Sequence, residues 1–149
     1  MYRHILVPTD GSKLSDKAVK QAIEVAKALG AKIMALHVLG ELHLHLPDEG
    51  FPIPEISALK KRFAEGEATR AKKILGSVKE AAKVAGIECE VAMATSDTPY
   101  EMIIDQATRF KCDLIVMASH GRRGLQGVLL GSVTQKVLTH SKIPVLVCR

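Results

Sequence analysis

Apolar residues along the chain follow two alternating patterns. Short apolar runs indicate buried strands, and longer stretches with apolar positions three and four apart indicate amphipathic helices. Strands are predicted over residues 3–7, 32–39, 88–94, 113–118 and 144–148, and helices over 14–29, 55–85, 99–110 and 132 to about 139. Because strand and helix alternate along the whole chain, the pattern predicts a doubly wound α/β fold with right-handed crossovers.

The strands are apolar over nearly their whole length, which is typical of a parallel sheet covered by helices on both faces. No linker, repeat or low-complexity segment interrupts the chain, so one domain over residues 1–149 is expected. We expect five strands in the order 3-2-1-4-5. In such a sheet a ligand binds beyond the strand C-termini, where the strand order reverses. Residues 8–10 and 118–121 would then meet over one crevice.

Proline and glycine mark the predicted ends of the elements. Pro8 cannot continue a central strand ladder, and Gly30 is a natural helix C-cap. Residues 40–54 contain Pro47, Pro52 and Pro54 and are predicted to form a long loop.

The stretch after the fourth strand carries the strongest chemical signal. Gly121, Gly124, Gly127 and Gly131 break the apolar pattern before a helix begins. Ser132-Val-Thr-Gln135 has the spacing of a capping box, which predicts that the Ser132 side chain caps this helix. A strand, a glycine-rich loop and a helix N-terminus together suit phosphate, because the backbone can approach the anion and offers unpaired N–H groups. We therefore predict a nucleotide site here.

Composition narrows the function classes. The 149 residues are 47% apolar and 25% charged, which is the balance of a soluble globular protein. The net charge is +5, but the cations are dispersed among acids and aromatics are only 3%, so no nucleic-acid partner is expected. No run approaches membrane-spanning length and no signal peptide is evident, so a cytoplasmic location is expected. Cys89, Cys112 and Cys148 are predicted to be buried free thiols.

The chain resembles the universal stress protein family, specifically its nucleotide-binding branch. The matching residues are Val7-Pro-Thr-Asp10-Gly-Ser after the first strand, Leu36-His37-Val38 ending the second, and Lys142-Ile-Pro-Val-Leu-Val at the end. The family's phosphate motif, Gly-x2-Gly-x9-Gly-(Ser/Thr), is matched by Ala118-Ser-His-Gly121, nine residues, and Gly131-Ser132. Alanine replaces the first glycine, so the backbone there cannot visit positive φ cheaply and a methyl group faces the site. This departure predicts weakened binding.

The resemblance implies a role for each matching residue. Asp10 would bind the ribose hydroxyls, and Pro8, Thr9, Val38 and Met117 would flank the adenine and ribose. His120, Gly121 and Arg122 would lie along the phosphates. The helix start would close the phosphate site through Gly131, Ser132, Val133 and Thr134. The ligand would be ATP, or AMP or ADP, and homodimers would form through antiparallel pairing of the last strands.

Each functional interpretation has a structural alternative. Asp10 can be only a turn-former, Ser132 only an N-cap, and Arg122 and Arg123 only loop cations. His120 can act as a phosphate donor or general acid, or contribute only its backbone. His43 and His45 alternate as metal ligands do, but without a nearby Cys, Asp or His partner no metal site is predicted.

The motifs favour binding over catalysis. No Walker motif, nucleophile elbow or zincin motif is present. We therefore predict no enzyme and no catalytic residue. Two alternatives stay open: slow Mg²⁺-assisted ATP hydrolysis through His120 or Asp10, and a nucleotide-free dimeric interaction module in which Ala118 has closed the site.

Overall fold

A computed structural model describes residues 1–45, 52–122 and 130–149 of the chain. Pro47, Arg123, Gly124 and Gly127, which the sequence analysis singled out, lie outside the described residues. Strands and helices alternate as predicted. Their bounds are β1 His4–Pro8, α1 Lys13–Leu29, β2 Lys32–Leu39, α2 Ile53–Val84, β3 Cys89–Thr95, α3 Pro99–Arg109, β4 Leu114–Ala118, α4 Ser132–His140 and β5 Val145–Cys148.

The strands form one five-stranded parallel sheet in the order β3-β2-β1-β4-β5. This confirms the predicted doubly wound fold and strand order. Strand β1 lies at the centre and pairs with β2 on one side and β4 on the other. The strand order therefore reverses between β1 and β4.

Two hydrophobic clusters cover the faces of the sheet. Side chains of β1 alternate between them, since Ile5 and Val7 belong to the cluster that includes residues of α1 and α2, whereas Leu6 belongs to the cluster that includes residues of α3 and α4. The central strands β1, β2 and β4 are almost wholly buried. The edge strands are not, because Met93 of β3 is 42% exposed and Leu146 of β5 is 40% exposed. Helices on both faces of the sheet are thus confirmed, and the exposed side chains lie on its two edge strands.

Helix termini explain the main differences from the predicted bounds. Helix α2 begins at Ile53, inside the predicted loop over residues 40–54. Pro54 lies in its first turn, where a missing N–H breaks no intrahelical hydrogen bond, so this proline starts a helix instead of preventing one. Pro8 is the last residue of β1, and Gly30 ends α1 in a left-handed conformation with φ 65°, as its position predicted.

The predicted capping box at α4 is wrong. Gly131, in an extended conformation, occupies the N-cap position, and no side chain caps the helix. Ser132 is the first helical residue, one position too late for its hydroxyl to cap, and the Gln135 N–H bonds the Gly131 carbonyl at 2.9 Å. The first amides of α4 consequently have no side-chain acceptor within the described part of the chain.

Candidate nucleotide site

A cavity of about 830 Å³ opens at the carboxyl ends of β1, β2 and β4. The cavity lies where the strand order reverses, which is where doubly wound sheets bind ligands. Its volume is within the range of small-molecule sites. All thirteen residues predicted for the nucleotide site line this cavity: Pro8, Thr9, Asp10, Val38, Met117, Ala118, His120, Gly121, Arg122, Gly131, Ser132, Val133 and Thr134.

Asp10 joins the loop after β1 to the loop after β4. Its Oδ1 accepts the N–H of Ser12 at 2.9 Å, and its Oδ2 accepts the N–H of Arg122 at 2.6 Å. Burial raises the pKa of Asp10, but hydrogen bonds from Ser12, Arg122 and Ser15 outweigh burial and hold this pKa below its ordinary value of 3.8. The carboxyl group is therefore an anion at neutral pH, with a fixed orientation at the edge of the cavity.

Gly121 allows the two loops to come this close. A Cβ atom placed on Gly121 would lie 2.8 Å from Asp10 Oδ2, closer than side chains approach in real structures. The carboxylate can occupy this position because residue 121 has no side chain. A left-handed backbone conformation is not the reason for glycine here, since the φ of Gly121 is not positive.

Buried polar side chains hold the end of β1 in place. The Thr9 N–H donates to the Leu36 carbonyl at 2.9 Å, and its hydroxyl lies 3.1 Å from that of Ser15. His37 is 6% exposed, and its Nδ1 lies 2.8 Å from the Thr9 carbonyl oxygen. These contacts tie the loop after β1 to β2 and α1, so the backbone that precedes Asp10 is firmly positioned.

Backbone contacts also close the other side of the cavity. The Gly131 N–H donates to the Ser119 carbonyl at 2.7 Å, which brings the start of α4 back to the end of β4. The hydroxyl of Thr134, 2% exposed, donates to the Ala118 carbonyl at 2.9 Å. The Nδ1 of His120 lies 3.1 Å from the Ser119 hydroxyl, and its Nε2 is buried without a partner among the described residues.

Ala118 does not obstruct the site in the way the motif suggested. It is the last residue of β4, it is 7% exposed, and it belongs to the hydrophobic cluster that packs against α1. Its backbone is not among those with positive φ. The objection to alanine on conformational grounds was therefore wrong, because this position of the motif is a strand residue here.

The sequence analysis missed one wall of the cavity. Phe63, Glu67 and Arg70 of α2 line it, and the Arg70 Nη2 lies 3.5 Å from the Asp10 carbonyl oxygen. Their spacing of four and three residues places them on one helix face, and this is the signal that was available in the sequence. None of the residues that carry the family resemblance lies on α2, so the sequence analysis named no site residue on this helix.

His43 has a partner that the sequence did not reveal. Its Nε2 lies 2.8 Å from Asp97 Oδ2, and the ligand atoms of Glu41, His43 and Asp97 all lie within 4.8 Å of one another. All three residues are exposed, and His45 is not part of this group. The absence of a protein-bound metal stays a prediction.

Two findings bear on the predictions about membrane helices and cysteines. Within residues 1–45, 52–122 and 130–149, no helix has the length and apolar character needed to cross a membrane. The three cysteines are unpaired, with Cys112 and Cys148 buried and Cys89 partly buried.

Comparison with known proteins finds relatives of this chain. The family model described as the universal stress protein family matches residues 1–149. The chain is 37% identical to universal stress protein MJ0531 of Methanocaldococcus jannaschii, over all of this chain and 83% of that protein.

Solved structures share the fold. Universal stress protein UspA from Lactobacillus plantarum has a TM-score of 0.86 at 25% identity, over 99% of this chain and 98% of that one. A universal stress protein solved in complex with cAMP has a TM-score of 0.71 at 28% identity, over 99% and 97% of the two chains.

Proposed function

Because the chain belongs to the universal stress protein family, we propose that its cavity binds an adenine nucleotide, ATP foremost, with AMP and ADP in the same class. One observation carries the proposal. Thirteen residues from separate segments, named from the family resemblance, line a single cavity at the reversal of strand order. The complex of a similar protein with cAMP supports the same class of ligand.

The contacts within the cavity suit the parts of a nucleotide. The ionised Asp10 carboxylate accepts two backbone N–H groups and retains lone pairs for ribose hydroxyls. The uncapped N-terminus of α4 supplies N–H groups and a partial positive charge for phosphate, as in other phosphate sites at helix N-termini. His120 Nε2, buried without a partner among the described residues, gains one if a phosphate oxygen lies beside it.

Mg²⁺ would accompany ATP chiefly through phosphate oxygens and water, which is its usual coordination in nucleotide sites. Neutralisation of phosphate charge is what the ion would supply when bound.

We further propose that the protein is a dimeric regulatory module of the cytoplasm and not an enzyme. Strand β5 ends the sheet, and its Leu146 is 40% exposed, which suits pairing with a second copy. The unpaired cysteines fit a reducing compartment. Sedimentation at tens of micromolar tests the dimer, and a monomeric result would contradict it.

Thermal unfolding in an ATP titration tests the proposed ligand. The protein is purified without added nucleotide, and Asp10→Ala is compared with Asp16→Ala, which removes an exposed carboxylate from α1. ATP at a hundred times its Kd is expected to stabilise the wild type and Asp16→Ala by about 2.7 kcal/mol. Asp10→Ala is expected to gain much less at the same concentration.

Three outcomes separate the alternatives. No stabilisation of the wild type at millimolar ATP would overturn the proposal. If Ala118→Gly then gained binding, the nucleotide-free interaction module would be favoured. Phosphate release that disappears in His120→Ala or Asp10→Ala, with binding retained, would favour the slow ATPase.

A further inference from the structure

Helix α2 presents a stripe of side chains to the cavity and to the turn after β1. Phe63, Glu67 and Arg70 line the cavity, and Ile74 continues the stripe by one turn. A Cβ atom on Gly11 would lie 2.8 Å from Ile74 Cδ1, so this isoleucine packs directly on the turn. Helix α2 therefore contacts the turn after β1 both at Ile74 and, one turn earlier, at Arg70.

The Arg70 guanidinium has few partners among the described residues. Within that part of the chain its one hydrogen bond is the contact of Nη2 with the Asp10 carbonyl oxygen, at the outer limit of 3.5 Å. No carboxylate of the described residues lies within 4.0 Å of it, Glu67 on the same stripe included. A guanidinium carries five N–H donors, so most of those on Arg70 lack an acceptor in the part of the chain described.

Charge is unevenly distributed along the cavity. The carboxylates of Glu41 and Asp97 follow the ends of β2 and β3, on one half of the sheet. Arg70 lies beside Asp10 at the end of β1, and Arg122 lies in the loop after β4. Asp10 is itself an anion at this end and would repel a phosphate, and a nearby cation would offset that repulsion.

We propose that Arg70 is an anion-binding residue of this cavity, pairing with ligand phosphate and making the site select phosphorylated nucleotides over nucleosides. The inference rests on the proposed function. An arginine suits the task because its planar fork donates two parallel hydrogen bonds to phosphate oxygens and stays charged at every physiological pH.

Calorimetric titration of variants with three probes tests the inference. Arg70→Gln removes the charge, and Arg70→Lys retains the charge but not the fork. Arg62→Gln is the matched control, because Arg62 is an exposed arginine of the same helix that does not line the cavity. The probes are ATP, adenosine and inorganic tripolyphosphate.

Arg70→Gln is expected to weaken ATP binding by about tenfold to a hundredfold, the effect of losing charge-assisted hydrogen bonds. Adenosine affinity is expected to stay within twofold, and Arg70→Lys is expected to fall between the wild type and Arg70→Gln for ATP. Arg62→Gln is expected to match the wild type with every probe.

The outcomes distinguish this inference from the proposed function. Equal ATP affinity in Arg70→Gln and the wild type overturns the inference and leaves the proposed function intact. Equal weakening of ATP and adenosine also overturns it, because Arg70 then only supports the Asp10 turn. If the wild type binds tripolyphosphate through Arg70 but gains nothing from adenosine, the inference stands and the adenine proposal fails. Binding of none of the three probes overturns both.

Discussion

Substitution of Gly121 by alanine tests whether Asp10 couples the two loops of the cavity. The new Cβ atom would lie 2.8 Å from Asp10 Oδ2, so the carboxylate must move. Movement breaks the 2.6 Å hydrogen bond from the Arg122 N–H. Hydrogen bonds to charged groups contribute about 1.5–3 kcal/mol, and the partly buried position of Asp10 places this one near the lower end. We expect Gly121→Ala to reduce the free energy of unfolding by about 1.5 kcal/mol.

The same substitution should have the opposite sign when Asp10 is absent. In an Asp10→Ala background the clash disappears, and the φ of residue 121 is acceptable for alanine. Alanine then restricts the unfolded chain and stabilises the protein by about 0.4–1 kcal/mol. A double-mutant cycle measured by urea unfolding should therefore give a coupling energy of about 2 kcal/mol between the two positions.

Gly76→Ala is the matched control for this cycle. Gly76 lies within α2, and a Cβ atom there would meet nothing within 4 Å. Alanine at this position should stabilise the protein by about 1 kcal/mol in both backgrounds. If Gly121→Ala were to cost the same free energy with and without Asp10, the coupling of the loops through this carboxylate would be refuted.

Three further predictions concern stability and reactivity. Thr134→Val removes the buried hydroxyl that donates to the Ala118 carbonyl and should lower the free energy of unfolding in urea by about 1–2 kcal/mol. Thr139→Val, at an exposed site of the same helix, should lower it by less than about 0.5 kcal/mol. Equal losses in the two variants would contradict this prediction. Because the folded pKa of Asp10 lies below 3.8, its contribution is complete above that pH and is lost as pH falls through the folded value. The stability advantage of wild type over Asp10→Asn should therefore shrink on acidification and not on alkalinisation. Burial raises the pKa of Cys112 to about 12, so iodoacetamide at pH 8 should label this thiol in urea but not in the native protein; rapid native labelling would show that the thiol is accessible.

Periodicity predicted the architecture, and the family resemblance supplied the thirteen residues that line the cavity. The apolar runs located all five strands, of which β1, β2 and β4 are almost wholly buried, and Pro8 and Gly30 marked real ends. The start of α2 was missed because proline disfavours helix interiors yet suits first turns, and only neighbouring contacts decide between the two. Sequence spacing also does not decide which residue is the N-cap of a helix. Ser132 was predicted to be the N-cap of α4, but Gly131 takes that position and Ser132 is the first helical residue.

The wall formed by α2 could not be found from motifs. Arg70 is separated from Asp10 by 60 residues, and nothing local indicates that the two are neighbours. The same holds for His43 and Asp97, which meet only because β2 and β3 are adjacent in the sheet. Long-range contacts of this kind depend on the topology, and a single sequence does not encode them in any nearby pattern.

The length of α2 has a consequence for local opening. A helix of 32 residues is about 48 Å long, and its buried residues, Ala71, Leu75, Val78 and Ala82, all lie in the second half. Residues 53–70 are anchored by far less apolar surface, so their amide protons should exchange with solvent sooner than those of residues 71–84. The wall of the cavity thus belongs to the half of α2 that is expected to open first, and a ligand held by that wall would register as slowed hydrogen exchange there.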